Sequence, residues 1–133
     1  MEETLVLIKG DGERRRLVGE IISRIEARGM DLGDIQLMEV GRDLAEEHYA
    51  EHREKPFFDE LVDFITATPV VAMRVRGDGA IKAMRALMGA TNPADAAPGT
   101  IRGDLALSMP DNLVHGSDSS ESAQRELGLF FGS

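Results

Sequence analysis

Short apolar runs recur along the chain and are separated by longer segments in which apolar residues are spaced differently. The compact run at 4–8 (TLVLI) is closed by a Lys-Gly-Asp-Gly turn, as is typical of a central strand that is buried on both faces. Further apolar runs at 35–40, 70–75 and 113–114 predict three more strands. The pattern therefore predicts a sheet of four strands.

Helical spacing dominates the intervals between these runs. Apolar residues recur every three or four positions over 17–25, 57–65 and 80–88, and a polar segment at 43–51 predicts a shorter helix. Strands and helices that alternate in this way predict an α+β sandwich of the ferredoxin-like type, in which helices cover one face of the sheet.

The C-terminal third begins with a long segment that lacks either period. Residues 89–111 contain Pro93, Pro98 and Pro110 and show little periodicity. A loop of this length inside a compact domain is usually functional or part of an interface. Beyond it, a Ser- and Asp-rich stretch precedes a helix that is predicted over 120–127.

Composition narrows the class of protein. A length of 133 residues with 42% hydrophobic content suits one domain, spanning 1–133, with a single core. The chain has 15 basic and 24 acidic residues, a net charge of −9, which argues against a general nucleic-acid or anionic-membrane surface. A few converging cations would still bind a small anion.

Other classes are excluded by residues that the chain lacks. With no cysteine, it forms no disulfide, zinc thiolate site or cysteine nucleophile. The apolar run at 5–8 is too short for a signal peptide or a membrane span, so we expect a cytoplasmic protein. There is no G-x-x-x-x-G-K-[ST] sequence, so any kinase activity must bind nucleotide without a P-loop.

His115 is the candidate nucleophile. It follows a short apolar pair at a predicted strand end, and Gly116 then frees the backbone before the last predicted helix. An imidazole can be a neutral nucleophile near pH 7 and can also leave once it is phosphorylated. A lone loop histidine is more often an ordinary surface residue, so this residue alone does not decide the function.

The sequence around His115 resembles a known family. Residues 112–118 (NLVHGSD) look like the active-site signature of the nucleoside diphosphate kinases, and the resemblance extends over 4–131, almost the whole chain. Several blocks in the right order are far more specific than one heptapeptide. The other blocks that resemble the family are 17–22 (LVGEII), 55–58 (KPFF), 89–95 (GATNPAD) and 98–104 (PGTIRGD).

The resemblance implies a fold with an antiparallel four-stranded sheet and a specific reaction. A nucleoside triphosphate with Mg²⁺ would phosphorylate His115, and a nucleoside diphosphate would then take the phosphoryl group in a ping-pong exchange. By resemblance, Ser117 and Glu126 orient His115. The resemblance further implies phosphate contacts from Arg85, Thr91 and Arg102, ribose and phosphoryl contacts from Lys9 and Asn112, a position for Tyr49 beside the transferred group, and base stacking on Phe57.

Each of these residues has a plainer interpretation when taken singly. Arg85 suits an exposed helix, Phe57 a core, and Glu126 a helix surface. Asp118 either caps the last helix, with Glu121 three residues on, or holds Mg²⁺ through water, and we favour the cap. Without turnover, the same fold would serve as a nucleotide-binding scaffold, and a ferredoxin-like regulatory domain is a further alternative.

A rival motif also bears on the predicted function. Residues 48–52 (HYAEH) match H-x-x-E-H, an inverted zinc-protease signature, but such a site needs a third ligand.

Two positions depart from the family pattern. The family usually has proline where this chain has Gly10, and we expect the change to loosen the turn or its subunit contacts, with an effect on stability of about 0.5–1 kcal/mol. The penultimate aromatic residue, often Trp in relatives, is Phe130. The short tail after Phe131 resembles the short bacterial members, which are hexamers or tetramers, and we favour a hexamer.

Overall fold

Four strands form a single sheet in the computed structural model, which describes residues 1–132. The strands are β1 (Glu2–Ile8), β2 (Asp31–Met38), β3 (Val70–Gly77) and β4 (Val114–Gly116). They pair antiparallel in the order β2-β3-β1-β4. This confirms the predicted α+β fold with a four-stranded antiparallel sheet, and β1 and β3 occupy its centre.

Helices occupy most of the remaining chain. They are α1 (Gly10–Arg14), α2 (Val18–Ala27), α3 (Arg42–His48), α4 (Phe58–Ala67), α5 (Ala80–Met88), α6 (Ile101–Leu105) and α7 (Ser120–Phe131). Short 3₁₀ turns lie at Ala50–His52 and Pro93–Asp95. The five predicted helices are present, whereas α1 and α6 were not predicted. No helix among residues 1–132 is both long enough and apolar enough to cross a bilayer.

β1 supplies both halves of the core, because its side chains alternate between the two faces of the sheet. Val6 and Ile8 pack into a cluster with residues of α2 and α5, while Leu5 and Leu7 pack into a second cluster with residues of α4 and α7. All four side chains are fully buried. The prediction that β1 is buried on both faces is confirmed. The prediction that helices cover one face is wrong, because α3, α4 and α7 cover the other.

The edge strand β2 contrasts with β1. It begins at Asp31, four residues before the predicted start, and its pairing with β3 is irregular between Leu32 and Ile35. The side chains of Ile35 and Leu37 are 53% and 65% exposed. Among residues 1–132, β2 is therefore an edge strand that pairs only with β3 and carries two exposed apolar side chains.

The segment 89–111 is not a loop throughout. The side chain of Asn92 accepts a hydrogen bond at the start of the 3₁₀ turn, and the Thr100 hydroxyl accepts one from Gly103 N at 2.9 Å at the start of α6. Side-chain oxygens at these positions satisfy amides that a helix leaves free. The segment therefore contains two short capped helical turns joined by irregular chain.

Gly10 starts α1 at the point where the family usually has proline. A Cβ atom at this position would overlap with Thr68 Oγ1 and would lie 2.9 Å from Thr68 Cβ. Gly10 is also buried. The turn is therefore closed by contact with Thr68, which occupies the room that a proline ring would need.

This contact predicts that Gly10→Ala destabilises the fold by about 1–3 kcal/mol, the usual cost of overpacking. Thr68→Ala removes the closest atom, so the double variant should lose less stability than the sum of the two single variants. Urea unfolding of all four proteins measures this coupling. Additive effects would mean that the two residues do not compete for space.

Candidate active site

A cavity of about 610 Å³ opens beside β4 and collects the residues that the sequence pointed to. Ser117 does not line the cavity but lies directly behind it, bonded to Glu126. The predicted site residues that line the cavity are Lys9, Tyr49, Phe57, Arg85, Thr91, Arg102, Asn112, His115, Asp118 and Glu126.

His115 is fixed by the strand that carries it and by a carboxylate. It lies opposite Leu7 in the β1–β4 pairing, and its Nε2 is 2.9 Å from Glu126 Oε1. An ionised carboxylate only accepts hydrogen bonds, so Nε2 must carry the ring proton. The lone pair of the neutral imidazole is then on Nδ1, which is the nitrogen able to act as a nucleophile.

Glu126 is itself held in place. The Ser117 hydroxyl donates to Glu126 Oε1 at 2.7 Å, and the Ser117 amide donates to the carbonyl of Leu5 at 3.2 Å. Burial opposes ionisation of the carboxyl group, but hydrogen bonds and the electrostatic influence of His115 outweigh it, so the pKa of Glu126 stays below its ordinary value. The result is a chain of bonds from β1 through Ser117 and Glu126 to the imidazole.

Three cations converge on the cavity. Burial, opposed in part by Asp11 and reinforced by Arg102, lowers the pKa of Lys9 to about 8. Burial and the charge of Arg85 lower the pKa of Arg102 to about 10. Positive groups that disfavour one another's charge in a concave site are stabilised by an anionic ligand. The electrostatics of this cavity therefore suit phosphate.

Arg102 has a structural task in addition to its charge. Its Nε, Nη1 and Nη2 donate to the carbonyls of Asn112, Gly89 and Val114 at 3.2, 2.9 and 2.7 Å. A guanidinium has five N–H donors, so two remain for a ligand. Arg102 is 5% exposed and connects the end of α5 to the start of β4.

The amide of Asn112 is oriented by the segment opposite it. Asn112 Nδ2 donates to the carbonyl of Thr91 at 2.9 Å. Its Oδ1 has no hydrogen-bond partner within the part of the chain that the structure describes. A buried carbonyl oxygen of this kind favours a ligand that donates a hydrogen bond. Arg85, on α5, donates to the carbonyl of Gly116 at 3.3 Å.

Aromatic side chains form another part of the wall. Phe57 is 43% exposed, and its ring centroid lies 5.6 Å from that of His52. Tyr49 is half-buried at the end of α3, where burial raises its pKa to about 12. Phe57 is the large, accessible aromatic surface in the cavity wall and is suited to stacking on a flat ligand.

Comparison with known proteins identifies the family of the chain. A family model described as nucleoside diphosphate kinase matches residues 2–133. The chain belongs to the nucleoside diphosphate kinase family. A relative from Rubrobacter xylanophilus, named nucleoside diphosphate kinase, is 75% identical over 132 residues that cover 99% of each chain.

Solved structures of nucleoside diphosphate kinases have the same fold. The halophilic enzyme from Halobacterium salinarum, solved in complex with CDP, aligns with a TM-score of 0.96 and 48% identity, covering 99% of this chain and 88% of that chain. The enzyme from Encephalitozoon cuniculi aligns with a TM-score of 0.98 and 40% identity, covering 100% and 90%.

Two buried residues beside the candidate site were not assigned to it by the sequence analysis. Asp11 is buried, and its Oδ2 accepts from the amide of Leu113 at 2.9 Å. Leu113 has a φ of 72°, a left-handed conformation that is costly for a residue with a side chain. Asp11 therefore helps to hold the bend that leads into β4, and its position after a buried strand was the available signal.

His48 is the second missed residue. It is 3% exposed at the end of α3, and its ring packs edge-on against that of His115 with centroids 4.7 Å apart. Burial and the charge of His115 lower its pKa to about 3, so His48 is neutral. The H-x-x-E-H pattern drew attention to His48 for a different reason.

The structure tests two interpretations of the sequence, a helix cap at Asp118 and a zinc site at residues 48–52. Ser119, not Asp118, caps α7, because its side chain accepts from Ser122 N at 3.1 Å. The predicted cap at Asp118 is wrong by one residue, and Asp118 lines the cavity instead. The H-x-x-E-H pattern does not assemble: over residues 1–132, the potential metal ligands that come together include neither Glu51 nor His52.

The lowered pKa of Lys9 predicts a specific pH dependence. Between pH 8 and its ordinary pKa of 10.5, the unfolded chain keeps a proton on Lys9 that the folded chain loses, so rising pH favours the folded state. Lys9→Met removes this effect. The stability of the Met variant relative to wild type should fall by about 1–3 kcal/mol as pH rises from 7 towards 10.5.

Urea unfolding at intervals across this pH range measures the difference. Lys82→Met, at an exposed position of α5, is the matched control, and the change of stability with pH should be larger for Lys9→Met than for this variant. A constant difference for Lys9→Met would contradict the lowered pKa.

Proposed function

We propose that the protein transfers the terminal phosphoryl group from a nucleoside triphosphate to a nucleoside diphosphate by a ping-pong exchange through His115. One observation carries the proposal. The bond from His115 Nε2 to Glu126 leaves the lone pair on Nδ1, and His115 lines a cavity together with three cations. Membership of the nucleoside diphosphate kinase family supports the same reaction.

The first half-reaction forms one bond and breaks one bond. Nδ1 of His115 attacks the terminal phosphorus, the bond from that phosphorus to its bridging oxygen breaks, and a nucleoside diphosphate leaves. The phosphorylated ring gains positive charge, which the carboxylate of Glu126 stabilises through Nε2–H. A second diphosphate reverses these steps and regenerates the neutral imidazole.

The cations would act on the phosphate oxygens. Lys9, Arg85 and Arg102 offer donors to the transferring group, and Thr91 adds a hydroxyl group in the cavity wall. Mg²⁺, when bound with the nucleotide, would neutralise charge on the phosphate oxygens. Asp118 is an exposed carboxylate in the cavity wall and suits a water-mediated contact, because Mg²⁺ usually keeps several of its waters.

The nucleoside would be held with little discrimination among bases. Phe57 offers a stacking surface, and stacking tolerates every base because each has a π face. The unpartnered Oδ1 of Asn112 suits a ribose hydroxyl, and Lys9 and Tyr49 would lie beside the ribose and the transferred group. The relative from Halobacterium salinarum was solved in complex with CDP, which supports nucleoside diphosphates as ligands here.

The central test is the covalent adduct. After mixing with ATP and Mg²⁺, the intact protein should gain one phosphoryl group that is labile to acid, and added GDP should remove it as GTP forms. His115→Ala should abolish both the adduct and the transfer while nucleotide binding remains. Mass spectrometry and nucleotide chromatography measure the two events.

His52→Ala is the matched control, because His52 also lines the cavity and should leave the adduct in place. An adduct that persists in His115→Ala would refute His115 as the nucleophile. ATP binding without any adduct or GTP would identify a nucleotide-binding scaffold that lacks turnover.

We further propose that residues 1–133 act as one domain in a cytoplasmic homo-oligomer, a hexamer rather than a tetramer. The exposed apolar edge of β2, with Ile35 and Leu37, supports assembly because such an edge pairs readily with a second chain.

Sedimentation velocity should accordingly give a mass near six times the chain mass of 14.5 kDa. Leu37→Glu should reduce that mass, since it puts a charge on the apolar edge. A wild-type protein that sediments as a monomer would rule out the assembly.

A further inference from the structure

His48 is a buried imidazole that the proposed reaction does not use. Neither of its ring nitrogens has a hydrogen-bond partner within residues 1–132. Buried polar atoms without partners are uncommon, and each one calls for a specific explanation. The ring is surrounded edge-on by aromatic groups, with centroid distances of 4.7 Å to Tyr49, 4.7 Å to His115 and 5.3 Å to Phe130.

The unpartnered histidine belongs to a compact group of potential metal ligands. One ligand atom from each of His48, His115 and Glu126 lies within 4.8 Å of the others. Two imidazoles and one carboxylate are a ligand set found at zinc sites that keep an open fourth position. Because no hydrogen bond within residues 1–132 engages either ring nitrogen of His48, the ring can offer a nitrogen to a metal ion.

The separations of the three ligand atoms are close to, but not the same as, those expected around a bound metal ion. Ligand distances of about 2.0–2.2 Å and tetrahedral angles separate neighbouring ligand atoms by roughly 3.4 Å. His115 Nε2 and Glu126 Oε1 are 2.9 Å apart, and no two of the three ligand atoms are more than 4.8 Å apart, so the widest separation would have to close by at most roughly 1.4 Å.

We propose that His48, His115 and Glu126 form an inhibitory site for a borderline-soft divalent metal ion such as Zn²⁺. Mg²⁺ would not compete for it effectively, because Mg²⁺ prefers oxygen ligands in octahedral geometry, whereas imidazole suits Zn²⁺. The open fourth position would be filled by water from the cavity. The site is thus distinct in chemistry from a Mg²⁺ ion carried by a nucleotide.

Inhibition follows from the tautomer of His115. A metal on Nε2 takes the place of the ring proton, which moves to Nδ1 and removes the nucleophilic lone pair. A metal on Nδ1 occupies that lone pair directly. In both cases His115 cannot attack phosphorus while the metal is bound. This consequence rests on the proposed function, whereas metal binding itself does not.

Metal binding can be tested directly by titrating the full-length protein with Zn²⁺ in a calorimeter, with Mg²⁺ in excess and no nucleotide. Wild type should bind one Zn²⁺ tightly. His48→Gln should weaken this binding by at least about tenfold, because one of three ligands is lost. His52→Gln is the matched control and should retain the wild-type affinity, since His52 is outside the group.

A second measurement needs no variant and remains informative if His48→Gln fails to fold. The chain has three histidines, so NMR of protein labelled with ¹⁵N in the imidazole rings can follow each of them during the titration. The ring signals of His48 and His115 should shift at one equivalent of Zn²⁺, while those of His52 should not.

Three outcomes would overturn the proposal: equal affinity in wild type and His48→Gln, ring shifts that include His52 in place of His48, or no tight one-to-one binding. In the kinase assay, the wild-type rate should fall in proportion to Zn²⁺ occupancy, and a chelator should restore it. A protein that binds Zn²⁺ as described but forms no phosphohistidine would contradict the proposed function and leave the metal site intact.

Discussion

The hydrogen bonds of the buried Arg102 guanidinium are the interactions on which the geometry of the site depends. A charge removed from water is costly unless its donors are satisfied, and here three of them bind the carbonyls of Gly89, Asn112 and Val114. These carbonyls lie at the end of α5 and on both sides of the bend before β4. One side chain therefore fixes the two ends of the long segment 89–111 and the strand that carries His115.

The same region is held from the side of β1. The amide of Lys9 donates to the carbonyl of Leu113 at 2.8 Å, and Asp11 accepts from the amide of Leu113. These bonds offset the strained backbone of Leu113, a kind of strain that persists only where its surroundings impose it. β1 can impose it because the strand is buried on both faces, and the short edge strand that carries His115 is paired directly with it.

The sequence predicted the elements with a clear apolar pattern and missed the helices of only five residues. β1 is a continuous apolar run, and α2, α4 and α5 have enough apolar positions for their helical period to be recognised. α1 and α6 have five residues each, too few to establish a period, and the start of β2 is polar. The candidate site residues come together at the cavity, whereas His48 and Asp11 were not predicted because their contacts join distant segments of the chain. The cap of α7 was misplaced because Asp118 and Ser119 are both good capping residues.

The groups around His115 that suit a nucleophile also suit a bound metal ion. A nucleophile that must also leave needs a free lone pair on one nitrogen and a compensating negative charge near the other. Glu126 supplies that charge, and a second cation beside the ring would compete for it and weaken the stabilisation of the phosphorylated ring. His48 packs against His115 and stays neutral, so the ring is enclosed without that competition. An accessible lone pair, a carboxylate and a second neutral imidazole are also what a zinc ion binds. Susceptibility to such a metal therefore follows from the same features that make His115 a suitable nucleophile.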